Sequence, residues 1–192
     1  MTRKLIYSLQ MSLDGYIEDA SGSIDFTHPE PELHTYLNDL ETTIDTHIYG
    51  RRLYETMNDF WPTAAEEPNA EPEIIEYARI WNGLDKLVFS NTLKTVGPRT
   101  RLATADVETE LAALKAKPGK DISVGGATLA AQFIARDLVD EYWVIVYPVL
   151  LGGGKPMFSA MDRRIDLELY DTRTFPAGAT VLLYRRRTDN RA

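Results

Sequence analysis

The sequence predicts a three-layer α/β fold, in which a mostly parallel central sheet ends in antiparallel C-terminal strands. Three observations lead there. Strand-like and helix-like segments alternate as far as about residue 140, which implies right-handed crossovers between parallel strands. Strand-like segments then follow one another directly, and short turns can join only antiparallel neighbours. The chain has 192 residues, 44% hydrophobic and 26% charged, which suits one domain over 1–192 with a sizeable core.

The elements read in order. Residues 3–11 alternate Leu5, Tyr7, Leu9 and Met11 against other positions, the pattern of a strand. A turn-rich stretch runs from Asp14-Gly15 to Pro31. Residues 32–44 place Leu33, Tyr36, Leu37, Leu40 and Ile44 at helical spacing. Residues 46–50 are a short strand ending in Gly50, and a helix starts at Arg51 and reaches about Met57. The segment 60–73 is proline-rich and acidic and reads as loop. A helix follows over 73–81, then strands over 86–90 and 101–104. Residues 107–117 are a helix stopped by Pro118-Gly119. Residues 121–124 are a strand, and Gly125-Gly126 opens a helix to about Arg136. A long strand over 139–151 and two more over 165–173 and 180–187 finish the chain, with a turn near Pro176-Ala177-Gly178.

Composition removes several function classes. The absence of cysteine excludes disulfides, thiolate nucleophiles, iron–sulfur clusters and cysteine-ligated zinc. A formal charge of −8 disfavours nucleic acid and anionic membranes as partners. The run Arg185-Arg186-Arg187 reads as a solvated strand end. The most apolar stretch, 142–151, is too short to span a bilayer. The N-terminus lacks a signal-peptide core, and a cytoplasmic location is expected. Neither GxGxxG nor GxSxG occurs, and Gly152-Gly153-Gly154-Lys155 lacks P-loop spacing. His28, His34 and His47 match no zinc pattern, so no metal is expected.

Two helix starts look suited to anions. A helix N-terminus carries partial positive charge and unpaired N–H groups, so acids belong there. The helix over 107–117 obeys, with Asp106, Glu108 and Glu110 at its start and Lys115 and Lys117 at its end. The helix after Gly50 instead begins with Arg51 and Arg52. A phosphate there would engage N–H groups, dipole and guanidinium together; the alternative is that both arginines reach solvent or a carboxylate. The helix after Gly125 and Gly126 begins Ala127-Thr128 and also lacks an acid. Its glycines let backbone approach a ligand, or serve only tight strand-to-helix packing. Two such sites suggest an extended ligand with separated phosphates, such as a dinucleotide. Ser90, Asn91 and Lys94 add polar and positive groups nearby, although a serine ending a strand is also an ordinary turn residue.

The segments SLDGYIED (12–19), IYGRRLYE (48–55), LVFSNTL (87–93), ISVGGATL (122–129) and LVDEYWVIVYPVLLGGGKPMF (138–158) carry a resemblance across nearly the whole chain. In this order they resemble the dihydrofolate reductase-like fold. More closely, they resemble the reductase domain at the C-terminus of the bacterial riboflavin-biosynthesis deaminase-reductase (the RibD C-terminal domain) and its stand-alone relatives. The resemblance implies NADPH as cofactor. It implies Gly50 and Arg51 at the cofactor phosphates, with Arg51 and Ser90 near the 2′-phosphate. Gly125, Gly126, Ala127 and Thr128 would cradle the pyrophosphate, and backbone groups around Gln10 and Ile17 would hold the nicotinamide carboxamide. It further implies a homodimer paired through the strand over 139–151 and the C-terminal strands. Leu53 departs from the family, which often has threonine there, so a hydroxyl contact to phosphate is missing.

Reduction also needs a proton. By resemblance it comes from an acid after the first loop, and Asp25 is the nearest candidate. Burial against Phe26 and Trp61 would raise its pKa enough for acid work; a plain turn aspartate is the alternative, and Glu30 and Glu32 are further candidates. Asp14, before Gly15, reads as a turn aspartate. Trp61, Tyr54 and Phe158 suit either core packing or stacking on a flat ring. The expected activity is NADPH-dependent reduction of a small pyrimidine- or pteridine-like heterocycle, as in 5-amino-6-(5-phosphoribosylamino)uracil reductase. Weak dihydrofolate reductase activity and non-catalytic nucleotide binding are the alternatives.

Overall fold

The computed structural model describes residues 2–187. Eight strands form one sheet in the order β5-β4-β3-β6-β1-β7-β10-β9, and two very short strands, β2 and β8, form a separate ribbon. The strands are β1 (Leu5–Ser12), β2 (Tyr16–Glu18), β3 (Ile44–Gly50), β4 (Asp85–Phe89), β5 (Thr100–Leu102), β6 (Asp121–Gly125), β7 (Glu141–Tyr147), β8 (Lys155–Pro156), β9 (Leu167–Thr174) and β10 (Thr180–Arg186). The helices are α1 (Pro31–Glu41), α2 (Arg51–Phe60), α3 (Pro72–Gly83), α4 (Val107–Lys115) and α5 (Ala127–Ile134). Strands β5 to β7 are mutually parallel, and β10 runs antiparallel to both β7 and β9. The expected mostly parallel sheet with antiparallel C-terminal strands is therefore the observed one.

The sheet separates two cores. Leu5, Tyr7, Ile122 and Val124 pack with Leu111, Leu129 and Phe133 of α4 and α5 on one face. Ile6, Trp143, Ile145 and Val181 pack with Leu33 of α1 on the other. Register fixes which polar residues share that second face. Ile6 lies opposite both Ser123 and Glu141, so Ser8, Gln10 and Ser12 point the same way as Gly125, Ile145 and Tyr147. Tyr49, opposite Gly125, joins them from β3.

Several expected boundaries move. Ile44 opens β3 rather than closing α1, because the Thr42 and Thr43 hydroxyls donate to the carbonyls of Asp39 and Leu40 and end the helix. The expected strand over 139–151 stops at Tyr147, before Pro148. It is also an interior strand between β1 and β10, so both its edges are already paired. The expected pairing of this strand across a homodimer is thereby ruled out, and β9 is the open edge on that side. The acidic loop contains a 3₁₀ turn over Ala64–Glu66, pinned by buried Ala64.

The β2–β8 ribbon was not legible, since three- and two-residue strands carry no periodicity. Asp14 holds it to the main sheet. Its carboxylate accepts from the Ser12 hydroxyl (2.6 Å) and the N–H groups of Leu151 (3.1 Å) and Gly152 (2.7 Å). These bonds, the Ser12 hydroxyl first, hold the carboxyl below its ordinary pKa. Of the C-terminal arginines, Arg185 pairs with Glu168 and Arg186 with Asp137. Among the described residues, no helix is long and apolar enough to cross a membrane, and no cluster of His, Asp and Glu is arranged to hold a metal ion.

Candidate functional site

β3 and β6 are neighbours in the sheet, with Tyr49 opposite Gly125. The helices that follow them, α2 and α5, therefore begin side by side at the C-terminal edge, where open α/β sheets bind ligands. A Cβ on Gly50 would lie 3.9 Å from Leu129 Cβ, so the first turn of α5 abuts the start of α2. Both helices are capped by glycine, Gly50 and Gly126, with no side-chain cap. Among the described residues they are the only α-helices without an acid in the first turn; α1, α3 and α4 carry Glu32, Glu73, and Glu108 with Glu110. The two starts singled out in the sequence thus lie side by side at one edge of the sheet.

The two glycines of β6 and α5 do different things. Gly126 sits at φ +89°, a backbone that side chains rarely adopt. Its conformation turns the chain from β6 into α5, which begins at Ala127 and Thr128. Gly125 answers to packing: a Cβ there would stand 2.7 Å from Leu53 Cδ2 and 3.3 Å from the Tyr49 ring. Leu53 therefore occupies the space between the two helix starts and rests on the glycine turn.

Arg51 is half exposed and its Nη1 donates to Glu55 Oε2 at 2.8 Å. An exposed i,i+4 pair contributes about 0.3–0.5 kcal/mol, little enough for an anion to displace. Arg52 is exposed. Ser90 follows Phe89, which lies opposite Gly50, so it stands at the same edge. Its hydroxyl already accepts from the N–H groups of Thr92 (3.2 Å) and Leu93 (3.0 Å). Gln10 lies on β1 with its Oε1 buried and without a hydrogen-bond partner among the described residues. Ile17 does not join it on that face, because its side chain packs on the α4–α5 core.

Asp25 differs from expectation. It is exposed, with its N–H donating to the Ser23 hydroxyl at 3.1 Å. The apolar cover foreseen for it lies elsewhere: Phe26 packs edge-on against Tyr147, and Trp61 against Tyr77. Glu30 accepts from the Ala177 N–H, and Glu32 pairs with Arg173. Tyr54 is a core residue whose hydroxyl accepts from the Gly97 N–H at 2.7 Å.

Sequence reasoning missed a buried polar chain beneath the glycine turn. Glu41 Oε2 meets His47 Nε2 at 2.7 Å, and His47 Nδ1 meets the Tyr49 hydroxyl. This chain fixes the ring that packs on Gly125. The i, i+2 spacing of His47 and Tyr49 on one strand face was its only signal. It missed Tyr147 too, hidden in an apolar strand, whose buried hydroxyl has no partner among the described residues.

A profile of the RibD C-terminal domain family matches residues 3–181. Uncharacterized protein YyaP of Bacillus subtilis (strain 168) is 34% identical over 183 residues, covering 95% of this chain and 94% of its own length. Uncharacterized protein YwjB of the same strain is 29% identical over 177 residues, covering 91% and 94%. Among solved structures, a putative riboflavin biosynthesis protein from Shewanella sp. PV-4 superposes with a TM-score of 0.77 at 24% identity, over 97% of this chain and 99% of that one. A diaminohydroxyphosphoribosylaminopyrimidine deaminase/5-amino-6-(5-phosphoribosylamino)uracil reductase from Thermotoga maritima gives 0.68 at 15% identity, over 97% of this chain and 57% of that one.

Proposed function

The chain belongs to the RibD C-terminal domain family, and on that footing we propose that it is an NADPH-dependent reductase of a pyrimidine- or pteridine-like heterocycle. The observation that carries this reading is the pair of glycine-capped, acid-free helix starts side by side at one edge of the sheet. Their free N–H groups suit the pyrophosphate, and Arg51 suits the 2′-phosphate beyond it. Ser90 stands beside Arg51 at the same edge. The backbone of β1 and β2 around Gln10 and Ile17 is assigned to the carboxamide of the nicotinamide.

When bound, the cofactor supplies a hydride to an electrophilic carbon of a C=N or C=O group, and the heteroatom takes a proton. The protein's share is orientation within about 3–3.5 Å and exclusion of water. Asp25 is the assigned proton donor on resemblance alone. Its exposure favours the second reading, a nucleotide-binding protein without catalysis.

Titration of the wild type and Arg51→Ala with NADPH and NADH tests the cofactor assignment. Loss of a charge-assisted contact weakens NADPH by about tenfold or more, while NADH changes little. Equal effects on both would contradict a 2′-phosphate at Arg51. Saturable NADPH binding with no oxidation across pteridines, pyrimidines and quinones would select the non-catalytic reading. Asp25→Asn with unchanged turnover would remove Asp25 from the mechanism.

We further infer a homodimer formed through β9, whose residues are mostly exposed and include Leu169 and Tyr170. Sedimentation of the wild type as a dimer and of Leu169→Lys as a monomer is expected; a monomeric wild type contradicts it.

A further inference from the structure

Arg51 is the first residue of α2, and its guanidinium is already engaged. Nη1 donates to Glu55 Oε2 at 2.8 Å, and the two side chains are 43% and 40% exposed. Among the described residues, Glu55 is the one carboxylate within ion-pair distance of Arg51. It lies four residues along the helix, about 6 Å up the axis. The bond therefore draws the guanidinium along α2, away from the helix start, where the unpaired N–H groups are. An arginine in a first turn opposes the helix dipole, and the carboxylate one turn on offsets part of that cost.

The start of α5 is different. Its first turn has no acid, and no side chain caps its N–H groups. A dinucleotide that bridges the two starts thus finds no competitor at α5 and one competitor at α2. The part common to NADH and NADPH is met freely; the part that distinguishes them has to take Arg51 from Glu55.

We propose that Glu55 competes with the 2′-phosphate of the cofactor for Arg51, and thereby narrows the preference for NADPH over NADH. This rests on the reductase reading above, which puts the 2′-phosphate at Arg51. It adds the residue that regulates that contact. Arg51 has two arrangements, bonded to Glu55 or turned back to the helix start and bonded to phosphate. Phosphate wins the exchange, because the guanidinium bond to it is charge-assisted and the N–H groups and dipole add to it. Its gain is reduced twice, by the pair it breaks and by the carboxylate it then faces. An exposed pair of this kind is worth about a factor of two in an equilibrium constant, and a like charge nearby costs about another factor of two. NADH has no 2′-phosphate, leaves the pair intact and escapes both losses. Glu55 therefore weakens NADPH about fourfold relative to NADH.

Calorimetric titration of the full chain with NADPH and with NADH tests this. The quantity read is the ratio of the two dissociation constants, in the wild type, Glu55→Gln, Arg51→Ala and the double variant. Glu55→Gln removes the charge and keeps the length of an exposed side chain. It is expected to shift the ratio about fourfold towards NADPH, almost entirely through tighter NADPH binding. With Arg51→Ala already present, the same substitution shifts the ratio by at most about twofold, since only the repulsion remains. An unchanged ratio in Glu55→Gln, or an equal shift with and without Arg51, overturns the proposal. Equal tightening of both nucleotides assigns Arg51 to the pyrophosphate they share and also overturns it. A wild type that does not bind NADPH removes this inference together with the reductase reading. Arg51-dependent NADPH binding that is indifferent to Glu55 removes the inference alone and leaves that reading standing.

Discussion

Gly153 and Gly154 are adjacent and look interchangeable in a glycine run, but their surroundings are opposite. Gly154 has φ +134°, and a Cβ on it would stand 2.0 Å from the Glu18 carbonyl oxygen; a Cβ on Gly153 would meet nothing within 4 Å. Backbone cannot yield as a side chain can. Gly154→Ala is expected to cost at least about 3 kcal/mol, and Gly153→Ala under about 1 kcal/mol, as measured by urea unfolding. The run is thus where chain passes chain beneath β2, and its likeness to a phosphate loop is superficial. Leu53 poses the contrary case. Leu53→Thr removes packing from the Gly125 turn and supplies a hydroxyl between the two helix starts. A Tm lowered by about 2–4 °C, with tighter NADPH binding, is expected; a lowered Tm without a change in affinity would place Leu53 away from the cofactor phosphates. The roles of these residues were invisible in the sequence because each depends on a neighbour distant along the chain.

Elements with strong local signals were legible. α4 shows why: Asp106 caps it by accepting from the Thr109 N–H at 2.9 Å, and acids and a lysine complement its dipole at the two ends. Its Glu110 does more than complement a dipole. The Arg101 guanidinium, bonded at 2.6 Å, and the N–H groups of Thr104 and Ala105 hold its carboxyl at a pKa of about 2. This depressed folded-state value means that Glu110 stabilises fully above its unfolded value, near 4.5, and that the contribution is lost as pH falls from there towards 2. Glu110→Gln is therefore expected to lose about 2 kcal/mol at pH 7, with the gap to wild type closing near pH 2. A gap independent of pH would show that the carboxylate charge is irrelevant to docking α4 on β5. Where local signals compete, boundaries shifted: Ile44 fits the helical stripe of α1, yet the threonines before it end the helix. The tiny β2 and β8 exist only because Asp14 and the glycine run bring their segments together, a tertiary cause that no window of sequence contains.

At the scale of the whole molecule, the order of strands was the decisive unknown. Alternating strands and helices imply a parallel sheet, but only the topology makes β3 and β6 neighbours and brings Gly50 and Gly126 to one edge of the sheet. The site was therefore half legible. Acid-free helix starts could be read from charge placement, whereas their adjacency, the Glu41–His47–Tyr49 support and the orphaned Tyr147 could not. The exposure of Asp25 likewise follows from where the loop to α1 runs, since the aromatic residues expected to cover it pack on Tyr147 and Tyr77 instead. The central claim is that one dinucleotide bridges the two helix starts. Amide chemical shifts of the ¹⁵N-labelled protein during NADPH titration report on it directly. The backbone N–H groups of 51–53 and 126–129 should move together along a single binding curve; shifts confined to one helix start, or to neither, would contradict it.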